Sequence, residues 1–261
     1  MKKKKSLKIK PVFLLAAASV LLLVSTVGST QAALTYYSDN YMAEVTVSNI
    51  GVKLLENDKE VSRRNYIGGK DVLWDDTNEG VLLKYMLDAD KDGENDQELV
   101  LGKKYAEVLS AENSGAIDSY VRMVVRKSWK DAEGNKDTTL SPALIDLNFV
   151  TGENGWVIDK AATTAERTVL YYTNILKAGK TTPACTDTVR IDPIIGTKVI
   201  ETVSTDSNGL KTITMVYEYD GYTFHIEAEV DAVQTHNAAD AIKSAWGVDV
   251  AVAADGTLSL K

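Results

Sequence analysis

The stretch KTITMVYEYDGYTFHIEAEVDAV, residues 211–233, alternates apolar and polar side chains on both sides of an Asp-Gly pair. The apolar positions are Ile213, Met215, Tyr217 and Tyr219 before the pair, and Tyr222, Phe224, Ile226, Ala228 and Val230 after it. Such alternation is typical of β-strands with one buried face, and Asp220-Gly221 is a favoured two-residue turn. We therefore predict a hairpin of two long strands, whose apolar face needs a second layer to cover it.

The chain before this hairpin also reads as strands. Val121, Met123 and Val125 share one face while Arg122 and Arg126 share the other, which predicts a strand with one wet side. Further strands are predicted at 145–149, 156–158 and 168–173, and turns at 57–58, 133–135 and 152–155. These many short strands with regular turn signals predict an all-β, jelly-roll-like antiparallel β-sandwich.

Other stretches are less regular. Residues 63–76 carry Gly68-Gly69 and few periodic apolar positions, so we predict a long loop with Trp74 folded onto the core. Residues 81–87 are predicted to be a strand or a short helix. One or two short helices are expected in all, including one that starts after Asn237 and stops at Gly247, before a last hairpin at 255–256.

The N-terminus has the layout of a secretory signal peptide. Lysines at positions 2–5, 8 and 10 precede an apolar run at 12–24 and a group of small residues. That run is shorter than the roughly 20 residues of a membrane span. We predict cleavage between Ala32 and Ala33, which gives a signal peptide at 1–32 and one β-sandwich domain at 33–261. The expected location is extracellular, with signal peptidase as a partner and membrane contact only through the uncleaved signal peptide.

Composition limits the function. Removing residues 1–32 takes away six of the 29 basic residues and none of the 37 acidic ones, which leaves a net charge of −14. So acidic a surface is poorly suited to nucleic acid, which we do not expect as a partner. The single cysteine, Cys185, excludes an intramolecular disulfide. Its alternation with Val189 and Ile191 favours a buried thiol over a reactive or dimer-forming one.

Two stretches carry a resemblance to a known family. The basic start, the junction Gly28-Ser29-Thr30-Gln31-Ala32 and the early Tyr36-Tyr37-Ser38-Asp39 resemble exported proteins processed by a SipW-type signal peptidase. A second match covers residues 227–237 and 241–246. The chain therefore resembles the TasA and camelysin (CalY) family of Gram-positive bacteria. The resemblance implies a jelly-roll-like sandwich that assembles into fibres of the extracellular biofilm matrix, and it brings a metalloprotease label for some members.

The residues do not support that label. The chain has only two histidines, His225 and His236, and no H-E-x-x-H motif. His225 shares a strand face with Glu227, Glu229 and Asp231, which permits a metal site, although a solvated strand face is the favoured reading. We expect no enzymatic activity and no required cofactor, while a dispersed catalytic triad stays open.

An acidic loop offers a calcium site. Asp88-Ala89-Asp90-Lys91-Asp92-Gly93 matches the start of an oxygen-ligand calcium loop, and Asp96 follows where a water-mediated ligand falls. The twelfth position is Leu99 instead of glutamate, so a solvated acidic turn is the competing interpretation. The hypothesis is a structural Ca²⁺ held by Asp88, Asp90, Asp92 and Asp96.

Assembly is predicted at the new N-terminus. We expect Leu34, Tyr36 or Tyr37 to enter an apolar groove of the next subunit by donor-strand exchange, which gives a head-to-tail homopolymer. The same segment instead pairing with its own domain stays open. A secreted module that binds polysaccharide or another surface ligand is the competing function, with Trp74, Trp129, Trp156 and Trp246 as candidate stacking residues.

Overall fold

Antiparallel β-strands dominate the computed structural model, which describes residues 49–67, 71–76, 82–88, 94 and 96–261. The strands within these residues are β1 (Ile50–Glu56), β2 (Lys59–Ile67), β3 (Asp71–Asp76), β4 (Lys104–Ala106), β5 (Leu109–Asn113), β6 (Ser119–Lys130), β7 (Lys136–Asp137), β8 (Ile145–Phe149), β9 (Trp156–Ile158), β10 (Arg167–Leu176), β11 (Thr186–Ile191), β12 (Val199–Thr205), β13 (Lys211–Tyr217), β14 (Thr223–Gln234), β15 (Val250–Val252) and β16 (Leu258–Leu260). The same residues contain 3₁₀ helices at Pro142–Leu144 and Pro193–Thr197 and the α-helix α1 (Ala238–Trp246).

The first layer grows from the β1–β2 hairpin. Its turn residues Asn57 and Asp58 both have positive φ, 49° and 65°, as a type I′ turn requires, so the predicted turn is confirmed. Hydrogen bonds place the strands in the order β3-β2-β1-β5. The layer continues because the main chain of β4 and β5 also bonds to residues 181–190, with the Cys185 amide donating to the Leu109 carbonyl at 2.8 Å. Strand β8 then pairs with the far edge of β11.

The second layer is centred on β6. Its strand order is β14-β6-β10-β9, and the short β7 pairs with the end of β6. β6 and β14 are matched residue for residue, from Ser119 opposite Gln234 to Lys130 opposite Thr223. This long ladder fixes which side chains of both strands face the first layer.

The main core lies between the two layers. Val121, Met123 and Val125 are at most 1% exposed, as predicted, and the Cys185 Sγ of the first layer lies 3.2 Å from the Met123 Sδ of the second. Cys185 is 0% exposed, so the prediction of a buried thiol is confirmed, and this burial raises the pKa of the thiol to about 12. The fold is the predicted all-β antiparallel sandwich with one short α-helix in the described residues.

The outer face of the second layer is covered at Tyr120 and Val124 of β6, whereas the Arg126 side chain stays 40% exposed, so the prediction of a wet side on β6 is only partly correct. Helix α1 and the β15–β16 hairpin pack there and bury a second apolar cluster. Its buried members are Tyr120, Val124, Val169, Tyr171, Val233, Ala238, Ile242, Val250 and Leu258. The predicted last hairpin at 255–256 is present, and α1 ends at Gly247 with φ 73°, as expected. Asn237 precedes the helix, but its side chain makes no capping hydrogen bond.

The predicted hairpin at 211–233 is wrong in its pairing, although both strands exist. β13 pairs with β12, and β14 pairs with β6. A type I′ turn needs positive φ at both central residues, but only Gly221 of the Asp220-Gly221 pair has it, at 79°. Residues 217–222 instead form successive turns, because the amides of Asp220 and Tyr222 bond to the carbonyls of Tyr217 and Tyr219. After these turns β14 pairs with β6, which gives it a longer ladder of paired residues than β13 could.

Two further predictions are wrong. Residues 63–76 are not a loop, because β2 runs to Ile67 and pairs with β3 from Ser62 opposite Asp76 onward. Backbone pairing sustains these strands where the apolar pattern is weak; the side chain of Trp74 lies outside the described residues. Residues 82–87 form turns instead of a strand or helix. Within these turns, the Leu83 amide donates a hydrogen bond to the Glu56 carboxylate at 2.6 Å.

The outer cluster is expected to carry a large share of the stability. Ile242 is 0% exposed, so Ile242→Ala is expected to lower the free energy of unfolding by about 2 to 5 kcal/mol. The same substitution at Ile213, which is 58% exposed, is expected to cost less than about 0.5 kcal/mol in the monomer. Urea denaturation followed by circular dichroism measures both. Equal losses would contradict the assignment of Ile242 to a core.

Candidate functional site

Strands β12 and β13 form a two-stranded sheet of their own, which we call the ribbon (residues 199–217). Every residue of both strands is exposed. Within the described residues neither outer edge of the ribbon pairs with another strand. The ribbon therefore offers unpaired backbone donors and acceptors along two edges.

The two faces of the ribbon differ in polarity. The pairs Val199–Tyr217, Glu201–Met215 and Val203–Ile213 lie on one face, which we call the apolar face. Its five apolar side chains are between 46% and 64% exposed. The opposite face carries one apolar pair, Ile200 against Val216, followed by Thr202 against Thr214 and Ser204 against Thr212, so it is the more polar of the two.

An isolated two-stranded sheet is only marginally stable in water, and three strands or a packed face are normally needed. Contiguous exposed apolar surface of this kind marks interaction sites on soluble proteins. The ribbon is therefore the surface on which a further strand would complete the secondary structure.

The predicted N-terminal features lie outside the described residues. They are the cleavage positions Ala32 and Ala33, the signal peptide 1–32, and the assembly residues Leu34, Tyr36 and Tyr37. These stay predictions. No helix in the described part of the chain has the length and hydropathy of a membrane span.

The predicted calcium loop is described only in part. Asp88 is 3% exposed, whereas Asp96 is exposed and its amide donates to the Leu87 carbonyl at 3.1 Å. Asp90 and Asp92 lie outside the described residues. Among the residues that are described, no three Asp, Glu, His or Cys side chains converge as a metal site would require.

The strand face around His225 is used for ion pairs. Asp231 lies between two arginines and accepts hydrogen bonds from Arg64 of β2 and Arg122 of β6. Arg64 also donates to Glu229 at 3.0 Å, so it joins the two layers. Burial opposes ionisation of Glu229, but the hydrogen bonds from Arg64 and Arg126 hold its pKa below the usual range. Of the acidic side chains that could have joined His225 at a metal, Glu229 and Asp231 are thus paired with arginines.

His225 itself has a weak partner. Its Nδ1 lies 3.5 Å from the Glu227 carboxylate, and burial together with Lys130 lowers its pKa. His236 is exposed and accepts a hydrogen bond at its main-chain carbonyl from Gln234. The two histidines are therefore placed as the favoured readings expected, on a strand face and at the entrance to a helix.

The described tryptophan side chains mostly serve packing. Trp129 and Trp156 are 4% and 0% exposed, and each donates its indole N–H to a main-chain carbonyl. Trp246 is half-buried, with its ring 5.5 Å from that of Tyr171 and with Arg122 above it. These three rings do not form a shared exposed platform on which a sugar could stack.

No protein-family model, curated protein sequence or solved structure matches this chain. The resemblance to the TasA and camelysin family stays a prediction.

Sequence reasoning missed the ribbon as a unit. Residues 199–205 contain β-branched Val199, Ile200, Val203 and several threonines, which is the composition of a strand. What the pattern lacks is any sign that the apolar positions stay exposed, since alternation looks the same whether a face is covered or not.

The arginine bridge between the layers gives a stability prediction. Asp231→Asn is expected to lower the free energy of unfolding by about 2 to 4 kcal/mol, because Arg64 and Arg122 then lose the charge that offsets their partial burial. Glu227→Gln on the same strand, whose side chain is 56% exposed, is the matched control and is expected to be nearly neutral. Denaturant unfolding measures both variants. A neutral Asp231→Asn would show that the bridge carries no net stability.

Proposed function

We propose that this protein is a secreted structural component of an extracellular matrix or cell surface, and that its copies assemble head to tail into fibres. The observation that carries the proposal is the ribbon, with its unpaired edges and its exposed apolar face. The resemblance to the TasA and camelysin family supports the same role.

The proposed occupant of the ribbon is the N-terminal segment of a second copy, residues 33–41. In an extended strand Leu34 and Tyr36 point to one side and Tyr37 to the other. A strand added at a ribbon edge would place Leu34 and Tyr36 on the apolar face, beside Val203 at the β12 edge or beside Ile213 at the β13 edge. Main-chain hydrogen bonds would supply affinity and the side chains would set the register.

Charge favours this choice of segment. Copies with a net charge of −14 repel one another, but residues 33–41 contain a single charged side chain, Asp39. Covering the half-exposed apolar side chains of the ribbon would contribute about 1 kcal/mol each. Several such contacts and a strand's worth of hydrogen bonds are enough to hold a filament, which does not close on itself.

The test compares filament formation by chains that begin at Ala33. Deleting residues 34–41 and, separately, Ile213→Asp on the apolar face are each expected to abolish filaments while the monomer stays folded. Thr214→Asp adds the same charge to the opposite face of the same strand and is expected to leave filaments intact. Negative-stain electron microscopy, size-exclusion chromatography and circular dichroism give the three readouts.

Each negative outcome has a distinct meaning. Filaments that persist after the deletion would overturn the N-terminal donor, and filaments that persist with Ile213→Asp would overturn the ribbon as acceptor. A wild-type chain that stays monomeric at high concentration would overturn fibre assembly as the function.

A further inference from the structure

The outer face of the second layer carries a cavity of about 390 Å³ that the proposed function does not use. Its lining residues come from β6 and β10, from the segment 159–162, from Glu229 of β14 and from the end of α1. It shares no residue with the cavity that Glu56 and Glu107 line beside the β1–β2 turn. A volume of this size lies in the range of small-molecule sites.

The cavity lies over three cross-strand pairs of β6 and β10, which are Arg122–Tyr171, Val124–Val169 and Arg126–Arg167. These positions alternate along each strand, so all six side chains belong to the same face of the sheet. Successive pairs are about 7 Å apart along the strands. The cavity therefore has an aromatic end, an apolar middle and an end that carries two guanidinium groups.

The two guanidinium groups form an unfavourable pair, because like charges directly opposite each other on adjacent strands repel. Arg126 is 40% exposed and donates from Nη1 to Glu229 at 3.3 Å. Arg167 is exposed, makes no ion pair with a described residue, and donates from Nε and Nη2 to the Ala162 carbonyl at 3.2 and 2.9 Å. Since a guanidinium has five N–H donors, both arginines keep donors for a ligand.

The charge of the cavity suits a ligand with a single negative charge. Three arginines and two carboxylates line it, which makes it locally cationic on a chain whose net charge without residues 1–32 is −14. Of the two acids, Asp159 accepts hydrogen bonds from the amides of its own turn, and Glu229 is already paired with Arg64 and Arg126. An anion between Arg126 and Arg167 would relieve their repulsion and would receive charge-assisted hydrogen bonds from both.

We propose that this cavity binds a uronic acid, a sugar whose carboxylate is held between Arg126 and Arg167. The apolar middle fits the C–H face of the sugar ring, since Val124 and Val169 are both 5% exposed. The half-buried Trp246 closes the far end, with its ring 5.5 Å from that of Tyr171. One sugar ring placed in this way needs no platform of coplanar aromatic side chains.

Acceptors for the sugar hydroxyl groups are also present. They are the carboxylates of Asp159 and Glu229 and the last main-chain carbonyl groups of α1, which have no partner within the helix. A phosphate group with two charges would leave the cavity negative and would make no use of its apolar middle. The cavity and the ribbon share no residue, so binding at this site does not require fibre assembly.

The experiment titrates the chain that begins at Ala33 with sodium glucuronate by calorimetry, at low ionic strength, where screening is weak. Glucuronate has about 13 non-hydrogen atoms, which at an ordinary ligand efficiency corresponds to a dissociation constant of about 1 mM. Glucose, which lacks the carboxylate, and inorganic phosphate, which lacks the sugar ring, are each expected to bind at least about tenfold more weakly.

Substitutions at the two arginines test the site itself. Arg126→Gln and Arg167→Gln are each expected to weaken glucuronate binding at least about tenfold. Arg190→Gln is the matched control, because Arg190 lies on β11, is 37% exposed, pairs with Asp146 and does not line the cavity. Thermal unfolding without ligand should show both cavity variants at least as stable as wild type, since each removes one of two repelling charges.

Wild-type affinity in both cavity variants, or no binding up to about 10 mM, would overturn the proposal. Glucose or phosphate binding as tightly as glucuronate would overturn the assignment to a sugar acid, and variants that lose stability together with binding would assign the arginines a structural role. The ribbon variant Ile213→Asp should bind glucuronate like wild type, which separates this test from that of fibre assembly. Filaments lost in Arg126→Gln, without glucuronate binding by wild type, would identify a second copy as the occupant.

Discussion

The structure depends on the backbone pairing of β6. This strand is hydrogen-bonded to β14 along one edge and to β10 along the other, and apolar clusters cover both of its faces. Val121, Met123 and Val125 belong to the main cluster, while Tyr120 and Val124 belong to the outer one. A shift in register by one residue would exchange the two faces and send Arg122 and Arg126 into the sandwich. The long match with β14 prevents such a shift. This ladder therefore fixes the positions of the second layer, of its helical cover and of the Asp231 bridge to the first layer.

The sequence predicts those elements whose chemistry is local. The Asn57-Asp58 turn, the strand at 121–125, the stop at Gly247 and the final hairpin could all be read from a few neighbouring residues. Which strand pairs with which could not be read from neighbouring residues. The Asp220-Gly221 pair favours a hairpin between its flanking strands, but β14 gains a longer ladder by pairing with β6, and long-range pairing outweighs the local preference.

The candidate sites also divide into features that neighbouring residues predict and features that depend on the whole fold. Spacing in the acidic loop suggests calcium because carboxylates recur at alternate positions within one short segment. Glu56 and Glu107, which line one cavity, are 51 positions apart, and they come together because Glu56 of β1 pairs with Leu109 of β5. In a single sequence Glu107 looks like any polar residue before an apolar run. The exposure of the ribbon could not be predicted from the sequence either, because solvent contact is a property of the whole fold and not of the strand.

The hydrogen bond from the Tyr120 hydroxyl to the Gly256 carbonyl, at 2.7 Å, links residues that are 136 positions apart. Tyr120 belongs to the central strand, so this strand is fully enclosed only after nearly all of the chain is available. Contacts of such long sequence separation slow folding, because the loop between them must close before the contacts form. A chain that emerges from the ribosome therefore cannot complete the cover over Tyr120 until Gly256 has been synthesised.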